Sequence, residues 1–288
     1  MRGGRTPSIV VVGSVNLDLA ATVSRLPVPG ETVSGAFLDR FPGGKGANQA
    51  LAARRLGADV TLVARVGRDA EADAALALLR ADGVDLSLCL RDETLPTGLA
   101  LIAIAPGGEN QIVVAPGANR ALRPETLELP EADALMCQLE VPAETLCLAC
   151  DRFRGFFCVN LAPAMGVPEQ ILKRAELVVV NETEEAFYGE LLEACNGIIA
   201  VTRGSSEATL LKQQGVIARS RPPAVTPVDT TGAGDTFAAA LTIALLEGAS
   251  PQQALDFACT AGALATTRQG AQPSLPYRKE VDALLQSR

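Results

Sequence analysis

The chain has 288 residues, room for one large α/β domain or two small ones. Its net charge of −8, with no Lys/Arg-rich run, makes it a poor electrostatic partner for nucleic acid. No apolar stretch is long enough for a transmembrane helix, and the complete lack of His removes Ser-His-Asp and Cys-His hydrolases and His-ligated metal sites. Acid–base chemistry is left to Asp, Glu, Lys, Tyr or Cys. Seven scattered cysteines have no framework spacing. Cys147 and Cys150 make one Cys-x-x-Cys inside a helix-like stretch, read as reduced thiols, and the expected compartment is the cytoplasm. Met1 to Pro7 leads straight into Ile9-Val-Val-Val, too short and strand-like for a signal peptide.

Ser8–Val15 is a continuous apolar run, as in a strand buried on both faces. Leu19–Ser24 and Thr32–Phe41 are more polar, lie either side of Leu26-Pro-Val-Pro-Gly30, and read as small strands. Helix is expected at Ala47–Leu56, strand at Val60–Val66 and helix at Ala70–Ala81. Leu86–Leu90, Gly98–Ile104 and Gln111–Val114 are strand candidates. Then come strand Ala134–Leu139, helix Ala143–Arg152, strand Phe156–Asn160, helix Pro168–Arg174, strand Leu177–Val180 and helix Glu182–Glu193. Ile198–Thr202, Ala208–Leu211 and Val216–Arg219 close the strands, and Ala233–Glu247, Pro251–Thr267 and Arg278–Gln286 are helices. Such alternation predicts a mainly parallel sheet covered by helices. The early strand-only segment does not fit that layer and is expected to project as a flap. No linker or tandem repeat divides the chain, so one domain spanning 1–288 is expected, and an exposed small sheet with free edges suggests pairing with a second copy.

Three constellations carry chemistry. Asp229-Thr-Thr-Gly-Ala-Gly-Asp235 sets a carboxylate behind a glycine turn at the mouth of an apolar helix. Amides at a helix N-terminus lack internal partners and, with the dipole, favour an anion. A carboxylate there can take a proton from an attacking hydroxyl, although the same residues also suit an ordinary N-cap. Pro42-Gly-Gly-Lys-Gly-Ala-Asn48 opens the first main helix. It is not a Walker loop, since Asp39 stands where the first glycine is needed and Gly46 where Ser/Thr is needed. It also lacks the third glycine of a dinucleotide fingerprint, but its glycines and Asn48 suit a polyhydroxylated ligand. Asn16 and Asp18 sit just past the first strand, two apart and so on one side, where an amide and a carboxylate can grip a diol.

With these motifs in order, the chain resembles the PfkB carbohydrate kinase family, in its ribokinase group. The matching segments are Gly13–Asp18, Leu26–Gly35, Pro42–Ala50, Asn181–Glu184, Asp229–Phe237 and Thr267–Ser274. The resemblance implies a three-layer α/β/α ribokinase-like fold with a mainly parallel central sheet and a small β-sheet lid, built from inserted strands around 19–41 and 97–115. It implies ATP-dependent phosphorylation of the primary (5-) hydroxyl of D-ribose, giving ribose 5-phosphate and ADP. The alternatives are another sugar or nucleoside kinase of the family (2-deoxyribose, a fructose-type sugar, a nucleoside) or a non-catalytic sugar-binding relative.

By the same resemblance, Asp235 is the catalytic base, and the amides of Gly232, Ala233 and Gly234 stabilise the transferring group. Asn16, Asp18, Gly44, Lys45, Asn48 and Glu140 match sugar-binding positions. Asn181, Glu184, Thr202, Gly204 and Gly234 match nucleotide-side positions, and Cys259 stands near the adenine. Asp229, Thr231, Ala265, Arg268, Gly270 and Ser274 match a K⁺ site, and Mg²⁺ accompanies ATP. A homodimer through the lid is implied. The chain is shorter than typical relatives between Glu184 and Ile198 and at Asp151–Phe156.

Overall fold

The computed structural model describes residues 5–106, 109–213 and 215–287. Residues 1–4, within the stretch weighed as a signal peptide, and 107–108, within the expected lid, lie outside the described residues. The valine-rich opening forms β1 (Ser8–Val12), followed by β2 (Asn16–Thr22), β3 (Phe37–Gly43), α1 (Lys45–Arg55) and β4 (Asp59–Val66). Short α2 (Ala70–Ala75) and α3 (Ala77–Ala81) precede β5 (Cys89–Arg91), β6 (Gly98–Ile104) and β7 (Asn110–Ala115). The alternating part comprises β8 (Ala134–Gln138), α4 (Ala143–Arg152), β9 (Phe156–Asn160), α5 (Glu169–Arg174), β10 (Leu177–Asn181) and α6 (Glu182–Tyr188). It ends with β11 (Ile198–Thr202), β12 (Ala208–Lys212) and β13 (Gly215–Ser220). The helices α7 (Ala233–Leu246), α8 (Pro251–Ala265), α9 (Ala271–Ser274) and α10 (Arg278–Gln286) complete the chain.

Among the described residues, nine strands form one sheet in the order β13-β12-β11-β10-β9-β8-β1-β4-β5. It is parallel from β5 to β11 and antiparallel at β12 and β13. Successive strand residues face opposite ways. Ile9 and Val11 therefore join the core under α1, α7 and α8, whereas Val10 and Val12 join the core under α4 and α5. The result is the expected three-layer α/β/α architecture. Aromatics being few, α7 and α8, which pack on each other, bury small and aliphatic residues such as Ala238, Leu241, Ala258 and Ala261 completely. A second, four-stranded sheet runs β3-β2-β6-β7.

Several boundaries differ from expectation. The second strand begins at Asn16, and the third runs Phe37–Gly43 instead of Thr32–Phe41. Their limits follow from mutual pairing, which runs without a break from Asn16↔Gly43 to Thr22↔Phe37. The Ala70–Ala81 helix divides around Leu76. The Glu182–Glu193 helix is α-helical only to Tyr188, then tightens into a 3₁₀ turn over Gly189–Ala194, where a glycine interrupts it. Leu86–Leu90 contributes only β5, and the α9 turn was not foreseen.

Candidate active site

A cavity of about 580 Å³ opens where β1, β8, β9 and β10 end, the C-terminal edge at which parallel sheets bind ligands. One face of the small sheet covers it, through Ala100 and Ile102 of β6 and Ile112 and Val114 of β7. Asn16 and Asp18 reach it from β2, not from a turn after β1, and their i, i+2 spacing puts both on the cavity side.

The site is held together by backbone that passes unusually close. Gly44, at the N-cap of α1, has φ 88°, and a Cβ there would lie 2.7 Å from the amide nitrogen of Asn16. Gly44→Ala is therefore expected to destabilise the fold by about 2 kcal/mol or more and to weaken sugar binding, as denaturant melts and calorimetry would show. Unchanged stability would mean that the loop relaxes freely. Asn119 pins the β1–β2 junction from below. Its Oδ1 accepts from the Val15 amide (2.9 Å) and its Nδ2 donates to Asn16 Oδ1 (2.8 Å), which fixes which way the Asn16 amide faces. Glu140 accepts from the Ser14 hydroxyl and from the Lys45 amide (3.1 Å).

Asp235 lies in the first turn of α7, 6% exposed. Asn48 Nδ2 donates to its Oδ2 (2.9 Å) and Gln49 Nε2 to its Oδ1 (3.0 Å). The other end of the Asn48 amide, Oδ1, is buried without a partner while Asn48 lines the cavity, so an acceptor is free for a ligand hydroxyl. Burial raises the pKa of Asp235; Lys45 and the two amides pull it back, and Glu140 pushes it up. Asp18 is lifted to about 7 by burial and then by Glu140 and Asp235. Lys45 is disfavoured as an ammonium by burial, yet Asp235, Glu140, Glu184 and Asp18 outweigh this and hold its pKa above the ordinary value. The cluster is thus one cation among four carboxylates, set in low dielectric.

Gly232 N-caps α7 at φ 80° with no side-chain cap, and both Gly232 and Gly234 line the cavity. Nothing lies within 4 Å of a Cβ built on Gly234, so that backbone is open to a close-lying anion. The Ala233 amide, by contrast, points back to the Thr230 carbonyl (3.3 Å), and Ala233 does not line the cavity.

On the other side of the cavity, Asn181 and Glu184 form a reciprocal capping box on α6. Asn181 Oδ1 accepts from the Glu184 amide (2.9 Å) and Glu184 Oε2 from the Asn181 amide (2.8 Å). Asn181, Glu184 and Thr202 line the cavity, and burial raises the Glu184 pKa. Gly204 lies in the exposed turn after β11, outside the lining. Cys259 is buried in α8, its Sγ 3.9 Å from the Ser220 carbonyl, and does not reach the cavity wall.

The residues matched to a cation site gather behind the α7 turn. Asp229 Oδ1 accepts from the amide (2.9 Å) and hydroxyl (2.7 Å) of Thr231, and its Oδ2 from the Gly270 amide (2.9 Å). One carboxylate thereby joins the 229–231 and 266–270 segments. Ala265 and Ser274 are fully buried, while the Arg268 side chain turns outward to pair with Glu280. Both side-chain amide atoms of buried Gln272, in the adjoining α9 turn, find no partner.

Sequence reasoning assigned no role to Gln49, Gln138, Asn160 or Asn119. The signal was present for two of them: Gln138 and Asn160 are polar residues closing buried strands at the ligand-binding edge. Asn119 lies in a 3₁₀ turn that periodicity does not reveal.

The model of the pfkB family carbohydrate kinases matches residues 6–278. The ribokinase of Bacillus subtilis is 38% identical over 293 residues, covering 96% of this chain and 99% of that one. The crystal structure of ribokinase from Thermotoga maritima superposes with a TM-score of 0.88 at 34% identity, covering 97% of this chain and 99% of that one. The structure of Arabidopsis thaliana ribokinase complexed with ribose and ATP gives 0.85 at 29% identity, covering 98% and 99%. A match across nearly the whole length, in a chain whose polar cavity sits at the sheet's C-terminal edge, decides the assignment: this chain belongs to the pfkB family of carbohydrate kinases.

Proposed function

We propose that the chain is an ATP-dependent ribose kinase, moving the γ-phosphoryl group of ATP to the 5-hydroxyl of D-ribose and releasing ADP. The observation that carries this reading is Asp235: a buried carboxylate, held at both oxygens, opening on the same cavity as Asn16, Asp18 and the Gly232–Gly234 turn. The ribokinases of B. subtilis and A. thaliana, the latter solved with ribose and ATP, support the choice of substrates.

In this reading Asn16, Asp18, Lys45, Asn48 and Glu140 bind the sugar, with the free Asn48 Oδ1 accepting one of its hydroxyls. Asp235 accepts the proton of the attacking hydroxyl as its oxygen bonds to the γ-phosphorus and the bond to ADP breaks. The glycine turn faces the charge that builds on the transferring group, each aligned donor being worth roughly 3 kcal/mol in rate. Gly232 and Gly234 suit that task better than Ala233, whose amide is already engaged. Asn181, Glu184 and Thr202 meet the nucleotide side, with Gly204 at its margin. Mg²⁺ belongs with the ATP phosphates, whose charge it neutralises, and Glu184 is the buried carboxylate placed to support it.

The residues around Asp229 fit K⁺. A single carboxylate among neutral oxygens suits a monovalent ion, and the unpartnered side-chain amide of buried Gln272 marks a polar interior in the adjoining α9 turn. Replacing K⁺ by a bulky organic cation is expected to lower turnover about tenfold and to lower Tm by a few degrees, since an ion that binds only the native state stabilises it. Equal turnover and Tm in both salts would remove the site.

The small sheet acts as a lid that excludes water from the sugar. Its exposed Phe37, Leu38 and Val113 favour burial against a second copy, and so a homodimer. Cysteines that form no disulfide among the described residues suit a reducing cytoplasm. The deciding experiment is ATP consumption with ribose, 2-deoxyribose, fructose and nucleosides. The highest kcat/KM for ribose is expected; a stronger preference for another acceptor would move the substrate assignment within the family.

A further inference from the structure

Behind Asp235 lies a row of buried amides, Gln49, Gln138 and Asn160, of which Asn160 also borders the cavity. Gln49 and Gln138 are fully buried, and Asn160 is nearly so. Gln49 Nε2 donates to Asp235 Oδ1 (3.0 Å) and to Asn160 Oδ1 (3.2 Å), and its Oε1 accepts from Gln138 Nε2 (2.5 Å). Asn160 Nδ2 in turn donates to the Val179 carbonyl (3.1 Å). Gln138 can lie here because residue 13 is glycine: a Cβ there would meet Gln138 Oε1 at 2.1 Å. An amide has a donor end and an acceptor end. Since the strand carbonyl of Val179 sets Asn160 and Gln138 takes the Oε1 of Gln49, only the donor end of Gln49 is left to face the carboxylate.

We propose that Gln49 is a positioning residue for phosphoryl transfer, with Gln138 and Asn160 fixing its amide so that Asp235 is aimed at the acceptor hydroxyl and kept as an acceptor. This rests on Asp235 being the base. With Asn48 donating to the other oxygen, both carboxylate oxygens meet N–H groups, so a proton on Asp235 finds no acceptor in this shell. The arrangement opposes the burial that favours the protonated form. Lys45 on α1 works in the same direction; Glu140 after β8, Asp18 on β2 and Glu184 on α6 work against it.

The test compares Gln49→Met and Gln138→Met, which keep bulk and remove the donors, with the parent and Asp235→Asn. Turnover is followed from pH 5.5 to 9.5, with sugar Kd by calorimetry and Tm for each. Gln49→Met is expected to move the acid limb of the kcat profile up by about one pH unit, so that kcat falls about tenfold near pH 6 and recovers to within about threefold at pH 9. Sugar Kd should change by less than about threefold. Gln138→Met should move the limb the same way by less, and it carries the test if Gln49→Met does not fold. A uniform loss of kcat at every pH, or an unmoved limb in folded variants, overturns the proposal while the base assignment stands. Near-normal turnover in Asp235→Asn overturns both.

Discussion

Asp235→Asn is expected to lower kcat by about 10²–10⁴-fold while sugar affinity stays within a few-fold of the parent. The size of the effect follows from the residue's place. The carboxylate is the proton acceptor nearest the glycine turn, and its neighbour Lys45, held as an ammonium, cannot take a proton in its stead. Binding survives because Asn16 and Glu140 are held by hydrogen bonds that do not involve Asp235. An Asn at 235 also introduces an N–H facing Asn48 Nδ2 or Gln49 Nε2, so one of those amides must turn over. Single-turnover kinetics with saturating ATP separates the chemical step from product release. A kcat within tenfold of the parent would show that proton removal needs no base at this position.

Asp18→Asn is the second large effect, and it has opposite signs for binding and for stability. The ionised carboxylate can accept two sugar hydroxyls in charge-assisted bonds, so its loss should weaken sugar binding by about 10²–10³-fold. Stability should move the other way. The folded pKa is about 7 against an ordinary value of 3.8, so between these pH values the folded state holds a proton that the unfolded state has released. That contribution is present in full below about pH 4 and is lost as pH rises to 7. At pH 8 the parent therefore carries a buried, strained carboxylate that Asn removes, and the variant should melt about 5 °C higher. The same titration makes sugar affinity fall in the parent as pH drops below 7, approaching tenfold per unit. A sugar Kd constant from pH 5.5 to 8, or an Asp18→Asn variant that melts lower at pH 8, would show that the carboxylate is not held out of water as the cavity implies. The parent thus keeps a residue that costs stability, as sites built for charged contacts commonly do.

Asp18 and Asp235 also depend on each other. Asp235 helps to raise the pKa of Asp18, like charges repel in both directions, and Lys45 is the cation that lets both remain near one sugar. Removing either one is expected to make the other easier to ionise. The Asp18→Asn profile of kcat against pH should therefore shift its acid limb downward, the reverse of the shift expected for Gln49→Met.

Much of this molecule could be read along the chain. Val-rich β1, the α4 helix and β9, β6, β11 and α10 fall at their expected limits or within a few residues of them, because each is decided by local pattern: apolar runs for buried strands, 3.6-residue spacing for helices. The glycine turn before Asp235 was legible for the same reason, since a helix start with a carboxylate and no bulky side chain is a local feature. What lay outside local pattern was decided by pairing and by long-range contact. The limits of β3 are those of its partner β2, and Asn16 and Asp18 stand on a strand because that pairing extends to them. The amides that hold Asp235 come from Gln49 and Asn48, more than 180 residues earlier, and their orientation comes from Gln138 and Asn160 on two further strands. Sequence by itself determined which residue types were available for phosphoryl transfer and where the chain would turn. Only the tertiary structure decided which buried group each polar atom faces, because hydrogen-bond direction and the pKa of a buried acid depend on neighbours that the fold, not the chain order, brings together.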